Sequence, residues 1–225
     1  MAVVKGNVLG NLSGKLGNLS ARTVKGRTIL AARPSSFQAS QDPDSIAVRQ
    51  KFAVTANFSK NVAAIPILKS IWDSVKTQDM SVFNAIFKNN YKFSAVDRPT
   101  DQNIITPDGF LLPVTSAIVG VNDVTAELTA IDAATIISED EKDISFAALI
   151  IYHNPISDED EKFNIISLSK DVDDYDFAVD YTLTLDIHSS QSVIAAKYQN
   201  SFLLLAAVTK DITDKAVQYS KTFAQ

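Results

Sequence analysis

Apolar and polar positions along this chain change rhythm twice, and each change predicts a different kind of structure. Residues 39–93 follow a helical period. Asp42 before Pro43 is a helix start, since Asp caps the first free N–H groups and Pro has no N–H to lose at the first turn. Ile46, Arg49, Ala53 and Ala56 follow at helical spacing, with Phe52 and Phe58 beside them. Pro66 opens a second short helix carrying Ile67, Leu68, Ile71, Trp72 and Val75. Asp79 or Ser81 caps a third, in which Val82, Phe83, Ile86 and Phe87 meet at i, i+3 and i+4 before Asn89-Asn90 ends it. The aromatic stripe Phe52, Phe58, Trp72, Phe83 and Phe87 reads as the core between three helices rather than as a ligand pocket.

From residue 94 the period shortens to that of strands. FAVDYTLTLDI (177–187) alternates, with Phe177, Val179, Tyr181, Leu183, Leu185 and Ile187 on one face and Asp180, Thr182, Thr184 and Asp186 on the other. ISFAALIIY (144–152) and SFLLLAAV (201–208) are continuously apolar and suit central strands. Residues 116–121, 124–131, 162–168 and 215–223 complete about seven strands. Turns are expected at Pro107-Asp108-Gly109, Asn122-Asp123, Asn154-Pro155 and Asp173-Asp174, and the acidic stretches 138–143 and 157–162 read as solvated tips.

Residues 1–38 show neither rhythm. Five of the chain's seven glycines lie here, at 6, 10, 14, 17 and 26. Glycine at that density weakens helix and strand alike, so residues 1–20 should not fold alone. In ARTVKGRTILAA (21–32), β-branched residues flank Lys25-Gly26, which predicts a hairpin closed by Arg33-Pro34. The pattern therefore predicts an α+β protein in three parts. These are an extended, glycine-rich basic N-terminal arm with a β-hairpin (1–38), a short helical platform (39–100) and an acidic, immunoglobulin-like antiparallel β-sandwich (101–225).

Composition adds exclusions. The 225 residues are 46% hydrophobic, ample for a core, yet no apolar run is long enough for a membrane helix. The opening residues lack the apolar stretch of a secretory signal, so synthesis and assembly in the cytoplasm are expected. With no cysteine, disulfides, zinc ribbons, iron–sulfur clusters and thiol nucleophiles are excluded. The net charge of −5 hides a split: residues 1–100 hold 14 Lys/Arg against 5 Asp/Glu, and residues 101–225 hold 7 against 21. Such asymmetry suggests an oppositely charged partner for each half, either another copy of the chain or, for the basic half, nucleic acid; the plain alternative is two independently solvated surfaces.

The candidate chemistry is thin. GNLSGKLGNLS (10–20) suggests a phosphate loop, but Gly10 to Gly14 is one residue short of the P-loop spacing. Leu16 stands where the metal-binding hydroxyl belongs. Neither the strand–turn–helix setting of a dinucleotide site nor a G-x-S-x-G elbow is present. His153 and His188 each have acids nearby, but they lack the further ligands of a metal centre and read as surface histidines. The acidic turns lack the calcium-loop glycine pattern. The arm carries Lys5, Lys15, Arg22, Lys25, Arg27 and Arg33 with no acid before Asp42, a charge that would attract nucleic acid. It has no aromatic side chain before Phe37 on which a base could stack.

The opening MAVVKGNVLGNLSGKLGNLSARTVKGRTILAARPSS resembles that of a little-characterised protein family of phages and prophage-bearing bacteria. The likeness rests on Gly10-Asn11-Leu12-Ser13-Gly14-Lys15-Leu16-Gly17, on Arg33-Pro34, and on the order of arm, helices and β-rich domain over nearly the whole chain. It implies a structural, virion-associated role, head or capsid first and connector or tail next, assembled in the host cytoplasm. It carries over no catalytic residue. The expected interface is the arm: Gly10, Ser13, Gly14, Lys15, Gly17, Arg22, Lys25, Arg27 and Arg33. The expected partners are other copies and other virion proteins, without cofactor, metal, membrane or small substrate. The alternative is an immunoglobulin-like module that binds carbohydrate or a host surface.

Overall fold

The computed structural model describes residues 12–24, 27–33, 36 and 38–225. The chain divides into two compact units, Met1–Pro43 and Asp44–Gln225. It is α+β, built from helices and antiparallel sheets.

The first unit holds a three-stranded antiparallel meander of β1 (Gly14–Leu16), β2 (Leu19–Val24) and β3 (Arg27–Ala32). The hairpin expected over 21–32 is β2–β3, paired from Leu19↔Ala32 to Val24↔Arg27. Strand β1 was not expected from so glycine-rich a stretch. It forms because Gly17, at φ +57°, makes a two-residue turn with Asn18, which seats Gly14-Lys15-Leu16 against Leu19–Ala21. The Arg33 N–H donates to the Asn18 carbonyl at 2.7 Å, and the Thr23 hydroxyl donates to the Leu12 carbonyl at 3.1 Å. Lys25-Gly26, Pro34 and Gly10 lie outside the described residues.

The second unit is layered. Helices α1 (Pro43–Ala64), α2 (Pro66–Val75) and α3 (Val82–Asn90) start where the sequence places them, α3 with Ser81 Oγ accepting from the Asn84 N–H at 3.2 Å. Eight strands follow: β4 (Val114–Val119), β5 (Asp123–Leu128), β6 (Glu141–Pro155), β7 (Phe163–Val172), β8 (Tyr181–Asp186), β9 (Tyr198–Asp211), β10 (Ala216–Tyr219) and β11 (Phe223–Ala224). One sheet runs β10-β9-β6-β7 with β11 also on β9, and the other runs β4-β5-β8.

The continuous apolar runs of β6 and β9 now have a reason. Ile144, Phe146, Ala148, Ile150, Leu203, Leu205 and Ala207 share a core with Val124, Ala126, Leu183 and Leu185 of the smaller sheet. The alternate residues Ala147, Leu149, Ile151, Leu204, Ala206 and Val208 share a second core with Phe58, Val62, Leu68, Ile71, Trp72 and Ile86 of the helices. A strand covered on both faces loses the polar half of its alternation. Residues 39–100, read as a helical platform, thus lay an apolar face on the larger sheet.

Several details depart from the sequence reading. The buried stripe of α1 is Val54, Thr55, Phe58, Ser59 and Val62. Its two hydroxyls bond back to carbonyls one turn earlier, Thr55 to Lys51 at 2.9 Å and Ser59 to Thr55 at 2.7 Å, which lets polar residues lie inside. The aromatic stripe therefore splits. Phe58 and Trp72 are core, whereas Phe52 is 55% exposed and clusters with Phe83, Phe87 and Tyr91 on the surface. Strand β8 begins only at Tyr181. Ahead of it, Asp176 accepts from the Ala178 N–H and Asp180 from the Ala130 N–H, so the chain kinks and Val179 turns outward. Asn154-Pro155 is not a turn; β6 runs through it with Asn154 at φ 57°, and Pro155 pairs with Tyr198. The strand expected over 215–223 is two, parted at buried Ser220, whose N–H donates to the Ala207 carbonyl and whose Oγ accepts from the Ala207 N–H. A short helix, α4 (Ser189–Ala195), lies between the strands expected at 177–187 and 201–208, in a half of the chain where no helix was expected.

Candidate assembly interface

Strand alternation sorts the arm's side chains. Residues paired across a sheet share a face, and so do residues two apart on one strand. The pairs Lys15↔Ser20, Arg22↔Ile29 and Ser20↔Ala31 place Lys15, Arg22 and Ile29 together. Arg27 and Arg33 lie on that face by their even spacing from Ile29. Lys15 to Arg22 and Arg22 to Arg27 are diagonal neighbours, roughly 7–8 Å apart by strand geometry. All four cations are exposed, and none makes an ion pair among the described residues. The opposite face carries Leu16, Leu19, Ala21 and Leu30, with Leu16 56% and Leu30 48% exposed.

Of the residues expected at the interface, Ser13, Gly14, Lys15, Gly17, Arg22, Arg27 and Arg33 belong to this meander or its ends, and the basic ones converge on one face. Gly10 and Lys25 lie outside the described residues. Gly14 sits at φ +118° and Gly17 at φ +57°, conformations that cost other residues strain, so these two glycines shape the backbone. Lys15, the residue that suggested a phosphate loop, is in a strand.

No protein-family model matches the chain, and no curated protein matches it.

The second unit supplies the opposite charge at one end of its sheets. The starts of β6 and β8 and the end of β7 border a cleft of about 650 Å³ lined by Asp132, Asp174, Asp176, Glu141 and Lys142, with Ile136 at 91% exposure. The stretch 138–143, read as a solvated tip, contains buried Glu141. Its carboxylate accepts from the Ser138 N–H at 2.8 Å and from Gln218 Nε2 at 2.9 Å, and Gln218 also donates to the Ile136 carbonyl at 2.8 Å. Burial pushes the Glu141 carboxyl up, but hydrogen bonds from Ser138, Thr209 and Gln218 outweigh it and hold it below the usual range. The 157–162 tip is exposed at Ser157, Asp158, Glu159, Glu161 and Lys162, and Asp160 is paired with Lys197 at 2.7 Å.

Sequence reasoning missed one polar cluster. Lys210, almost wholly buried near the end of β9, donates to Asp171 at 3.2 Å and to Asp214 at 3.0 Å, and the Ser145 hydroxyl bonds the same Asp171 oxygen. Burial alone would lower the Lys210 ammonium; its bonds to Asp214 and Asp171 raise it instead. The cluster ties β9 to β7. The two histidines lie apart. His188 Nδ1 accepts from the Ser190 N–H at 3.3 Å and starts α4, while His153 lies within β6. Tyr152 and Tyr175 are core residues, and burial first, with Tyr181 and Asp176, pushes the Tyr175 phenol up to about 12. Among the described residues no helix is long and apolar enough to cross a membrane.

Proposed function

We propose that this is a phage virion structural protein, head- or capsid-associated before connector or tail, that assembles through its N-terminal arm. The observation that carries the reading is the basic face of the meander. Lys15, Arg22, Arg27 and Arg33 point one way, exposed and without ion pairs among the described residues, in a stretch whose first acid is Asp42. A three-stranded sheet this small gains its stability from a surface that covers it, and both of its faces carry exposed side chains suited to that. The resemblance of residues 1–36 to the opening of phage-associated proteins supplies the virion context.

Deletion of residues 1–38 is the test. The remaining unit keeps both cores and stays folded by circular dichroism, while its mass in solution drops to a single chain. Assembly that survives the deletion refutes the reading. Tryptic peptides of the full chain in gradient-purified particles support the virion placement, and their absence removes it.

The alternative of an immunoglobulin-like binding module has two antiparallel sheets face to face in its favour. We keep that architectural likeness as part of the proposal, with a helical layer added over the outer face of the larger sheet. Carbohydrate recognition draws less support, because Tyr152 and Tyr175 are turned into the core.

A further inference from the structure

Assembly through the arm leaves open what the basic face meets. Resting on that reading, we propose that the Lys15/Arg22/Arg27/Arg33 face of one copy docks on the acidic cleft beside Asp132, Asp173 and Asp174 of a second copy. The contact is head-to-tail, the arm of each chain engaging the next.

Charge complementarity singles out this occupant. The four cations have no acid among residues 1–41 to neutralise them. Lys15, Arg22 and Arg27 stand at diagonal spacing on one face, so they repel one another until carboxylates lie opposite. The second unit carries 21 Asp/Glu against 7 Lys/Arg over 101–225. Two of its acidic places compete. At the 157–161 tip, Asp160 is committed to Lys197, and Lys162 follows directly. At the cleft, Lys142 is the one cation among the lining residues, and neighbouring Lys210 is spent on Asp171 and Asp214. Asp132 lines the cleft, and exposed Asp173 stands next to lining Asp174; neither side chain makes a hydrogen bond or ion pair among the described residues, which leaves both carboxylates for a partner.

An apolar match accompanies the charges. Ile29, 40% exposed, stands amid the cations of the basic face, and Ile136, 91% exposed, stands amid the acids of the cleft. A phosphate backbone offers nothing to Ile29. A protein surface with an apolar centre and an acidic rim suits both parts of the face. Because the two surfaces differ, each copy can give one and receive one, and the contact propagates into a ring or an open array.

Charge reversal in the full-length chain tests this. One variant carries Arg22→Glu and Arg27→Glu; the other carries Asp132→Lys and Asp173→Lys. All four side chains lie outside the cores, and thermal melting confirms that each variant folds as the parent does. Sedimentation velocity at low salt reads the mass. The parent is expected to associate, and each variant alone to associate at least tenfold more weakly, moving toward the 24.4 kDa single chain. Mixing the two variants restores association, because each reversed arm then meets a reversed cleft on the other chain. Loss in both variants without recovery on mixing overturns docking between copies and points to docking within one chain. Loss in the arm variant alone overturns the cleft as the partner while leaving assembly through the arm standing. A parent that does not associate, or arm deletion that leaves its mass unchanged, removes both readings. Should the arm variant lose binding to a fluorescent DNA duplex while its mass is unchanged, the occupant is nucleic acid and the proposal fails.

Discussion

Asn90 offers a direct measure of how the irregular stretch 91–113 is held. It is fully buried at the end of α3, and its amide meets Ile104 twice: Nδ2 donates to the Ile104 carbonyl at 3.0 Å, and Oδ1 accepts from the Ile104 N–H at 2.8 Å. Oδ1 also accepts from Asn103 Nδ2 at 3.0 Å, and Nδ2 also donates to the Ile86 carbonyl at 3.0 Å. Asn90→Ala removes all four bonds. Asn103 keeps Ser94 and the Asn90 carbonyl, but both backbone groups of Ile104 lose this partner. Each orphaned buried group costs about 1–3 kcal/mol, so two give ~2–6 kcal/mol. Ile104 is only half-buried and water softens the loss, which places the expectation near the lower end, at about 3 kcal/mol. Trp72, the chain's single tryptophan, is buried one residue away, its indole N–H donating to the Ile105 carbonyl at 2.8 Å. Its fluorescence therefore reports unfolding at the right place. With a urea slope of about 2 kcal/mol per molar, the midpoint should fall by roughly 1.5 M. A fall under about 0.5 M would falsify the view that this amide carries the segment.

Gly109→Ala should cost at least about 3 kcal/mol, since φ is +129° and an added Cβ would overlap the Tyr219 carbonyl where the Phe110 N–H bonds it; an unchanged melting temperature refutes this. Trp72→Phe keeps most of the buried ring but leaves the Ile105 carbonyl unpaired, so a loss of about 1–3 kcal/mol is expected by calorimetry, against about 3–5 for Trp72→Ala. Acid should unfold the second unit through two carboxylates. Glu141 is held low as described, and Asp171 is held low by the Ser145 hydroxyl and Lys210 against the opposing effect of burial. A carboxyl depressed in the folded state stabilises above its unfolded pKa, and that stability is lost as pH falls through the folded value. The melting temperature should thus hold from neutral pH to about 5 and fall below about 4. Glu141→Gln should be less stable at neutral pH and lose less on acidification; a slope equal to the parent's removes Glu141 from this account.

Local signals were legible wherever chain neighbours decide the outcome. Pro43, Pro66 and Ser81 mark helix starts because capping and the missing proline N–H act within one turn. Alternation at Tyr181–Ile187 and the unbroken apolar runs of β6 and β9 announced strands correctly. The signals failed where a distant partner decides. Thr55 and Ser59 look polar, yet back-bonding lets them into the core, while Phe52 looks like core and is not. Glu141 reads as a solvated acid until Gln218, far along the chain, reaches it.

The arm shows the same division. Its charge, its glycines and its hairpin are properties of the sequence, and so is a glycine spacing one residue short of a phosphate loop. That Lys15, in a stretch too glycine-rich to suggest a strand, shares a face with Arg22, Arg27 and Arg33 is not legible locally. It depends on the turn at Gly17-Asn18 and on a register of one residue, because shifting a strand by one position sends every side chain to the other face. The sequence by itself determined which residues are charged, which are apolar and where elements begin. Only the tertiary structure decided which of them look the same way, because that is settled by pairing between strands and not by any single strand.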